Sequence, residues 1–282
     1  MNITPNSFSD GNQLQSPSAI TEKIETFKKY SVDVVDLGFE STAPMNQPIT
    51  LNQELERMHS FFQHAPESLM QFAALSVDTY RFETALEFSR LLKVRSFRGK
   101  IIWNDVSGIK DGLALEWLHQ DSNHHYVYCH NLSPLRESGA NHMAYVQSSD
   151  INYKSYFEQA TQYFMDFTQD RVWFDPTPGF SKSYEQNLLL ISQFKHLIDS
   201  LGPHRPWVVA LSRKRFLRQL VEELTGNVDK DYLFNKSEFF HLLYIQMLRT
   251  SHNPLYFRVH DPFLMTVSEK FLHLLQNGPI SK

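Results

Sequence analysis

At 282 residues with a formal net charge of −4, the chain slightly exceeds the ~250 residues of an eight-stranded α/β barrel and is long enough for one large core in a single domain, 1–282. That charge leaves no basic footprint for nucleic acid or an anionic membrane, and one cysteine, Cys129, excludes an internal disulfide and fits a reducing compartment. No apolar run approaches the ~18 residues of a membrane span, so a soluble cytoplasmic protein is expected; glycine is scarce at 10 residues, about half the usual ~7%.

The chain opens abruptly. Met1 to Gly11 has no strand before it, yet it has the make-up of a polar loop that should follow one. Ile20, Ile24 and Phe27 then recur at helical spacing through Thr21 to Tyr30. Val32 to Leu37 is a short buried strand that ends in the polar loop Gly38 to Pro44, and a helical segment follows from Leu51 to Phe62. Phe72 to Val77 is the next strand, ending at Asp78-Thr79 before an amphipathic stretch marked by Phe82, Ala85, Leu86 and Leu92. Ile101-Ile102-Trp103 ends at Asn104-Asp105, and alternation puts Asn104 on the face of Ile102, opposite Trp103.

Tyr126-Val127-Tyr128 ends at Cys129-His130-Asn131, and the polar stretch of about twenty residues after it suits a lid or a disordered segment. Tyr156, Phe157, Ala160, Phe164 and Phe167 form a further helical stripe. Arg171 to Phe174 ends at Asp175-Pro176, and Ser183 with Gln186 has capping-box spacing before a helix carrying Leu188, Ile191, Phe194 and Leu197. Trp207 to Leu211 ends at Ser212-Arg213-Lys214, where a helix starts; a polar insertion, Thr225 to Lys236, precedes a second helix to about Arg249. Leu255-Tyr256-Phe257 ends at Arg258-Val259-His260-Asp261, with Arg258 and His260 on one face, and a final helix runs from Phe263 to Leu275.

Short runs stopping at a polar residue, each followed by a helix, predict a parallel (β/α)₈ TIM barrel whose first strand is truncated or missing, with its site at the strand ends. Those ends are Asn2, Thr42, Asp78, Asn104, His130, Asp175, Lys214 and Arg258 with His260. Taken singly, Asp78, Asn104 and Asp175 serve equally well as helix caps, Lys214 as a solvated lysine and Thr42 as a turn hydroxyl. Together, two carboxylates and an amide suit a flat heterocycle rich in N–H donors, and the cations of the last two strand ends suit a phosphorylated group.

At these positions the chain resembles the dihydropteroate synthase family. The family signature N-V-T-P-D-S-F-S-D-G is met by Asn2 to Gly11 with Ile3 and Asn6 differing, and G-G-E-S-T-R-P-G by Gly38 to Met45. V-D-T is met by Val77 to Thr79, I-N-D-V-S-G by Ile102 to Gly108 with Trp103 inserted, and D-P-G-x-G-F-G-K by Asp175 to Lys182. S-R-K stands at Ser212 to Lys214 and R-V-H-D at Arg258 to Asp261. The resemblance implies that p-aminobenzoate attacks the methylene carbon of 6-hydroxymethyl-7,8-dihydropterin diphosphate, with Mg²⁺-bound pyrophosphate leaving.

Carried over by motif, Asp78, Asn104, Asp175 and Lys214 hold the pterin, while Thr42, Phe180, Ser212 and Lys214 frame p-aminobenzoate. Asn2 binds the metal and the diphosphate, and Arg258 and His260 hold the leaving pyrophosphate. Lys214, Arg258 and His260 are the residues expected to act on the reaction itself. A homodimer through the late helices is implied at family level. No nucleophilic side chain is required, and Cys129 and the pair His124-His125 lack the spacing of a zinc site.

Departures from the pattern also stand in the sequence. Ala43 replaces the arginine of the second loop, Phe39 and Met45 replace its glycines, Thr177 and Ser181 replace glycines of the later loop, and Cys129-His130-Asn131 stands where the family has M-H-M. Met1 fits either an internal methionine with a strand upstream or the start of a shortened protein that leaves unpaired barrel edges. Besides an active synthase, two other readings fit: a non-catalytic relative that keeps the pterin-binding fold as a partner or regulatory subunit, and a pterin-binding methyltransferase module. The intact S-R-K and R-V-H-D blocks weigh against the last, because a methyl donor without diphosphate does not need them.

Overall fold

The computed structural model describes residues 1–3, 16–40, 48–133 and 151–277. Seven strands, β1 (Val34–Gly38), β2 (Ala74–Asp78), β3 (Lys100–Asp105), β4 (His124–Cys129), β5 (Val172–Asp175), β6 (Trp207–Val209) and β7 (Leu255–Phe257), form one sheet in sequential order. Every pairing is parallel. Parallel neighbours need crossover connections, and here helices supply them. The helices are α1 (Pro17–Lys29), α2 (Leu51–His64), α3 (Phe82–Val94), α4 (Leu113–Gln120), α5 (Tyr153–Tyr163), α6 (Tyr184–Ser200), α7 (Arg215–Thr225), α8 (Lys230–Leu248) and α9 (Pro262–Asn277).

The sheet curls. Ala74, Ile102, Val127, Cys129, Trp173 and Val208 pack as one cluster, with Val34 of β1 and Tyr256 of β7 against it. All seven strands therefore turn one face to a common interior, and Trp173 stacks on Tyr256 with centroids 4.0 Å apart. The other strand face meets the helices: Trp103 lies between Phe82 and Trp117, and its Nε1–H donates to Thr79 O at 2.7 Å. A strand covered on both faces reads as a continuous apolar run, which is why the short runs located the strands.

Among the described residues β1 and β7 do not pair with each other. Instead Met1–Ile3 adds a stub to the outer side of β1, with Asn2 bridging Gly38 and the Gly38 N–H donating to Met1 O at 2.9 Å. The Ile3 N–H donates to Gly38 O at 2.7 Å. Across the remaining seam, α9 closes onto the end of α1: Thr266 donates to Tyr30 O at 3.1 Å, and the Tyr30 and Phe263 rings meet edge-on at 5.7 Å. This stub occupies the place in the sheet where the sequence puts the end of a first strand.

Three features differ from expectation. Helix α4 was not foreseen, because its eight residues follow Gly112, whose φ of 89° starts the turn without a side-chain cap. Helix α8 begins at Lys230, inside the segment expected to be a polar insertion, since Asp229 caps the Tyr232 N–H at 2.8 Å. In α6 the capping box of Ser183 and Gln186 is present, but Leu190 is buried rather than Leu188. The expected lid lies within 134–150, outside the described residues, as do Thr42 and Ala43.

Candidate active site

The register places the polar strand ends side by side. Gly38 pairs with Asp78, Asp78 with Asn104, and Cys129 with Asp175. Alternation along β1 turns Asp36 to the same interior face as Val34. Asp36 was not among the residues singled out from sequence; as an acid in the middle of an apolar run, it was itself the signal. Asp78, Asn104 and Asp175 do not cap the helices that follow them, because the N-caps of α3, α4 and α6 are Arg81, Gly112 and Ser183.

Arg258 organises the centre. Its N–H donates to Val209 O at 2.9 Å, which carries the strand geometry of β7 one residue further. Its Nε lies 3.4 Å from Asp36 Oδ2 and its Nη1 lies 3.7 Å from Asp175 Oδ2. Burial disfavours this guanidinium charge, but Asp36, Asp175 and Asp78 outweigh it and raise its pKa above the usual value. Asp175 accepts the Thr177 N–H on Oδ1 at 2.6 Å, whereas its Oδ2, like Oδ1 of Asp36, is buried without a hydrogen-bond partner. Burial pushes the Asp78 carboxyl up to about 7, and Asp36 pushes in the same direction. Asn104 stands slightly deeper, with Nδ2 3.5 Å from Asp36 Oδ2 and Oδ1 3.9 Å from the Cys129 thiol.

The cationic side comes from the loops after β5 and β6. Lys214, at the N-cap of α7, holds its Nζ 4.7 Å from the centroid of Phe180. Burial lowers its pKa to about 8, with Asp175 pulling the other way. Lys182 is fully enclosed, its Nζ donating to His130 O at 2.8 Å and to the carbonyls of Thr177 and Phe180 at 3.2 Å each; burial lowers it to about 7. It clamps the loop that carries Phe180. That loop keeps the backbone of the glycines it lacks, with φ of 44° at Thr177 and 50° at Ser181. Such angles cost on the order of 1 kcal/mol each for a side-chain residue. The side chains offset this by new bonds to the loop after β4, Thr177 donating to His130 O at 2.5 Å and Ser181 accepting the Leu132 N–H at 2.8 Å.

His260 and Ser212 meet at 3.0 Å through Nδ1 and Oγ. Asn2 sits beside Gly38, where an added Cβ would lie 3.3 Å from Asn2 Oδ1. Of the predicted site residues, Asn2, Asp78, Asp175, Phe180, Ser212, Lys214, Arg258 and His260 all line one cleft of ≈1520 Å³. Asn104 lies behind its wall, and Thr42 falls outside the described residues. Phe39, in place of a family glycine, turns into the core and meets Phe61 edge-on at 6.0 Å.

The rim of the second loop has its own anchor. Arg81 donates from Nη1 to Glu40 at 2.5 Å and to Glu54 at 2.7 Å, and from Nη2 to Ile49 O at 2.6 Å. Glu54 is fully buried and takes a further bond from Thr84 at 2.8 Å. Removing one member of a buried ion group leaves an uncompensated charge. Arg81→Met should therefore lower stability by about 3 kcal/mol in denaturant unfolding, with a smaller loss when Glu54 is changed to Gln in the same chain.

A parallel curled sheet, crossover helices and a mouth of acids facing cations define a class, and comparison identifies it. The profile of the family described as pterin binding enzyme matches residues 1–243, and the chain belongs to that family. Dihydropteroate synthase of Staphylococcus haemolyticus is 26% identical over 232 residues, which cover 82% of this chain and 79% of that protein. A folate synthesis bifunctional protein of Arabidopsis thaliana is 29% identical over 229 residues, 77% of this chain, and the chain spans about half of its length, 45%. Among solved structures, Xanthomonas albilineans dihydropteroate synthase with 4-aminobenzoic acid is similar with a TM-score of 0.70 at 26% identity, covering 99% of this chain and 92% of that one. The Thermus thermophilus enzyme in complex with 4-aminobenzoate is similar with a TM-score of 0.68 at 27% identity, covering 96% of this chain and 92% of that one.

Proposed function

We propose that the chain is a dihydropteroate synthase, acting as a single pterin-binding unit. It joins 6-hydroxymethyl-7,8-dihydropterin diphosphate to p-aminobenzoate and releases pyrophosphate. One observation carries the reading: two buried carboxylate oxygens without hydrogen-bond partners, on Asp36 and Asp175, belong to residues lining the cleft that Lys214, Arg258 and His260 also line. Buried acceptors left open call for donors, and the amino and ring N–H groups of a pterin supply them.

In this reading Asp78, Asp175 and Lys214 bind the pterin, with Asp36 added to the set and Asn104 completing it from behind the cleft wall, its Nδ2 3.5 Å from Asp36 Oδ2. Phe180, Ser212 and Lys214 frame p-aminobenzoate. The amine lone pair forms the new C–N bond as the C–O bond to the diphosphate breaks. Charge develops on the leaving oxygen, and cations placed there lower the barrier more than cations that merely bind substrate. Arg258 fits that task because its guanidinium has five donors, and its contacts to Asp36 and Asp175 are long enough to leave donors for phosphate. Asn2, whose Oδ1 stands at the mouth, would hold a Mg²⁺ ion by its amide oxygen; such an ion would neutralise charge on the leaving group.

The assembly proposed is a homodimer. Phe239, Leu243 and Met247 on α8 and Phe263, Val267 and Phe271 on α9 are about half exposed, each set spaced four residues apart. Apolar stripes of that kind mark an interaction surface. No helix among the described residues is long and apolar enough to cross a membrane, and a cytoplasmic location with small-molecule substrates belongs to the same proposal. The test follows pyrophosphate release from the pterin diphosphate with and without p-aminobenzoate. Release that depends on p-aminobenzoate supports the reading; pterin binding in calorimetry without any release would instead make the chain a non-catalytic pterin binder.

A further inference from the structure

Glu238 lies on α8, outside the sequence motifs quoted above, yet it reaches the rim of the cleft through Ser212 and Arg213. Its Oε2 accepts the Ser212 hydroxyl at 3.0 Å and its Oε1 accepts the Arg213 N–H at 2.6 Å. Ser212 Oγ in turn lies 3.0 Å from His260 Nδ1. Behind Glu238, the buried His241 places Nδ1 3.8 Å from Oε2. A line of contacts thus runs from the cleft into the protein.

Proton counting fixes its direction. Burial works against the Glu238 carboxylate, but His241, the Arg213 N–H and the Ser212 hydroxyl outweigh it and hold its pKa below the ordinary value. It is an acceptor only, and Ser212 has one proton to give. With that proton on the Glu238 side, the Ser212 oxygen must accept, and the donor facing it is His260 Nδ1–H. A neutral imidazole protonated on Nδ1 keeps a bare lone pair on Nε2. A lone pair repels phosphate oxygens.

We infer that Glu238 is a positioning residue which, through Ser212, fixes His260 as the Nδ1–H tautomer, so that His260 holds an oligophosphate only by taking up a proton on Nε2 as the anion arrives. The identity of the anion rests on the dihydropteroate synthase reading; the tautomer does not. The charged groups facing the ring are Arg213 and Lys214 from the loop after β6, Glu238 from α8 and the Met1 amino group. Burial, then Arg213 and Lys214, lower the free ring to about 4, so it is neutral at pH 7 until an anion offsets those cations.

Two measurements on the full chain at pH 7 test this. In ¹⁵N-histidine-labelled protein, with His260 assigned by its loss in His260→Gln, the ring should show the Nδ1–H pattern. In Glu238→Gln the amide can donate to Ser212, which frees the hydroxyl for His260, and the ring should switch to Nε2–H. Ser212→Thr keeps a hydroxyl and should keep the native tautomer, which separates the relay from general damage. Titration with inorganic pyrophosphate in two buffers of different ionisation enthalpy should show about one proton more taken up by the native chain than by Glu238→Gln. An Nε2–H ring in the native chain, or equal proton uptake in the two proteins, overturns the inference. A native chain that does not bind pyrophosphate overturns the functional reading and the proton uptake with it, while the tautomer still decides the role of Glu238.

Discussion

Asp78→Asn should weaken pterin binding by about a hundredfold and, at pH 8, raise the melting temperature of the free protein. The binding loss follows from presenting an amide donor where the ligand needs an acceptor, a mismatch of about 3 kcal/mol. The stability gain comes from removing a charge that the fold disfavours. Burial and then Asp36 raise the Asp78 carboxyl from 3.8 to about 7. A carboxyl raised on folding costs nothing below its unfolded pKa, and its penalty grows as pH rises toward the folded value. The gain in the variant should therefore be nearly absent at pH 4, grow between pH 4 and pH 7, and level off at about 4 kcal/mol, or roughly 10 °C. Thermal scans at pH 4, 6 and 8 beside pterin titrations check both halves. A variant that loses binding without gaining stability at pH 8 would mean that the Asp78 charge is already offset in the free protein.

Arg258→Met should act in the opposite sense on stability and more severely on turnover. The guanidinium lies within 4 Å of carboxylate oxygens on both Asp36 and Asp175. Without it three acids face one another, at a cost of about 3 kcal/mol at pH 8. That loss should shrink as pH falls toward 4, because the deserted carboxyls protonate and the repulsion goes with the charge. Pyrophosphate release should fall by about 10³-fold and should not recover at any pH, since protonating acids restores the fold but not the cation. Equal destabilisation at pH 5 and pH 8 would assign Arg258 to packing. In the double variant with Asp78→Asn the stability changes should be non-additive, since both alter one charge cluster.

Local sequence carried much of the fold because strands covered on both faces are apolar runs, and because Ser183 and Gln186 announce a helix start through chemistry three residues apart. The inward turn of Asn104 followed from alternation alone. Other features depend on partners distant in sequence. Arg81 meets Glu40 and Glu54 across 41 and 27 residues, and Glu238 meets Ser212 across 26; periodicity holds no record of such pairs. Asp36 was visible as an acid inside an apolar strand, but its reach to Arg258 needs the curl of the whole sheet. Thr177 and Ser181 were correctly singled out as non-glycine residues in a glycine loop. What sequence could not show was that their own side chains, with Lys182 beneath, hold the strained backbone in place.

The seam beside β7 bears on how the molecule breathes. β7 has three residues, none fully covered, and is laddered to β6 on one side and, among the described residues, to no strand on the other. Native-state amide exchange should accordingly begin at Tyr256 and Phe257 well before it reaches the twice-laddered β3 and β4. Arg258 and His260 ride on the end of that outermost strand, so each time it peels back the phosphate seat comes apart with it. A bound anion that holds the two residues together would fasten the strand like a clasp, and pyrophosphate should slow exchange there more than anywhere else in the barrel wall.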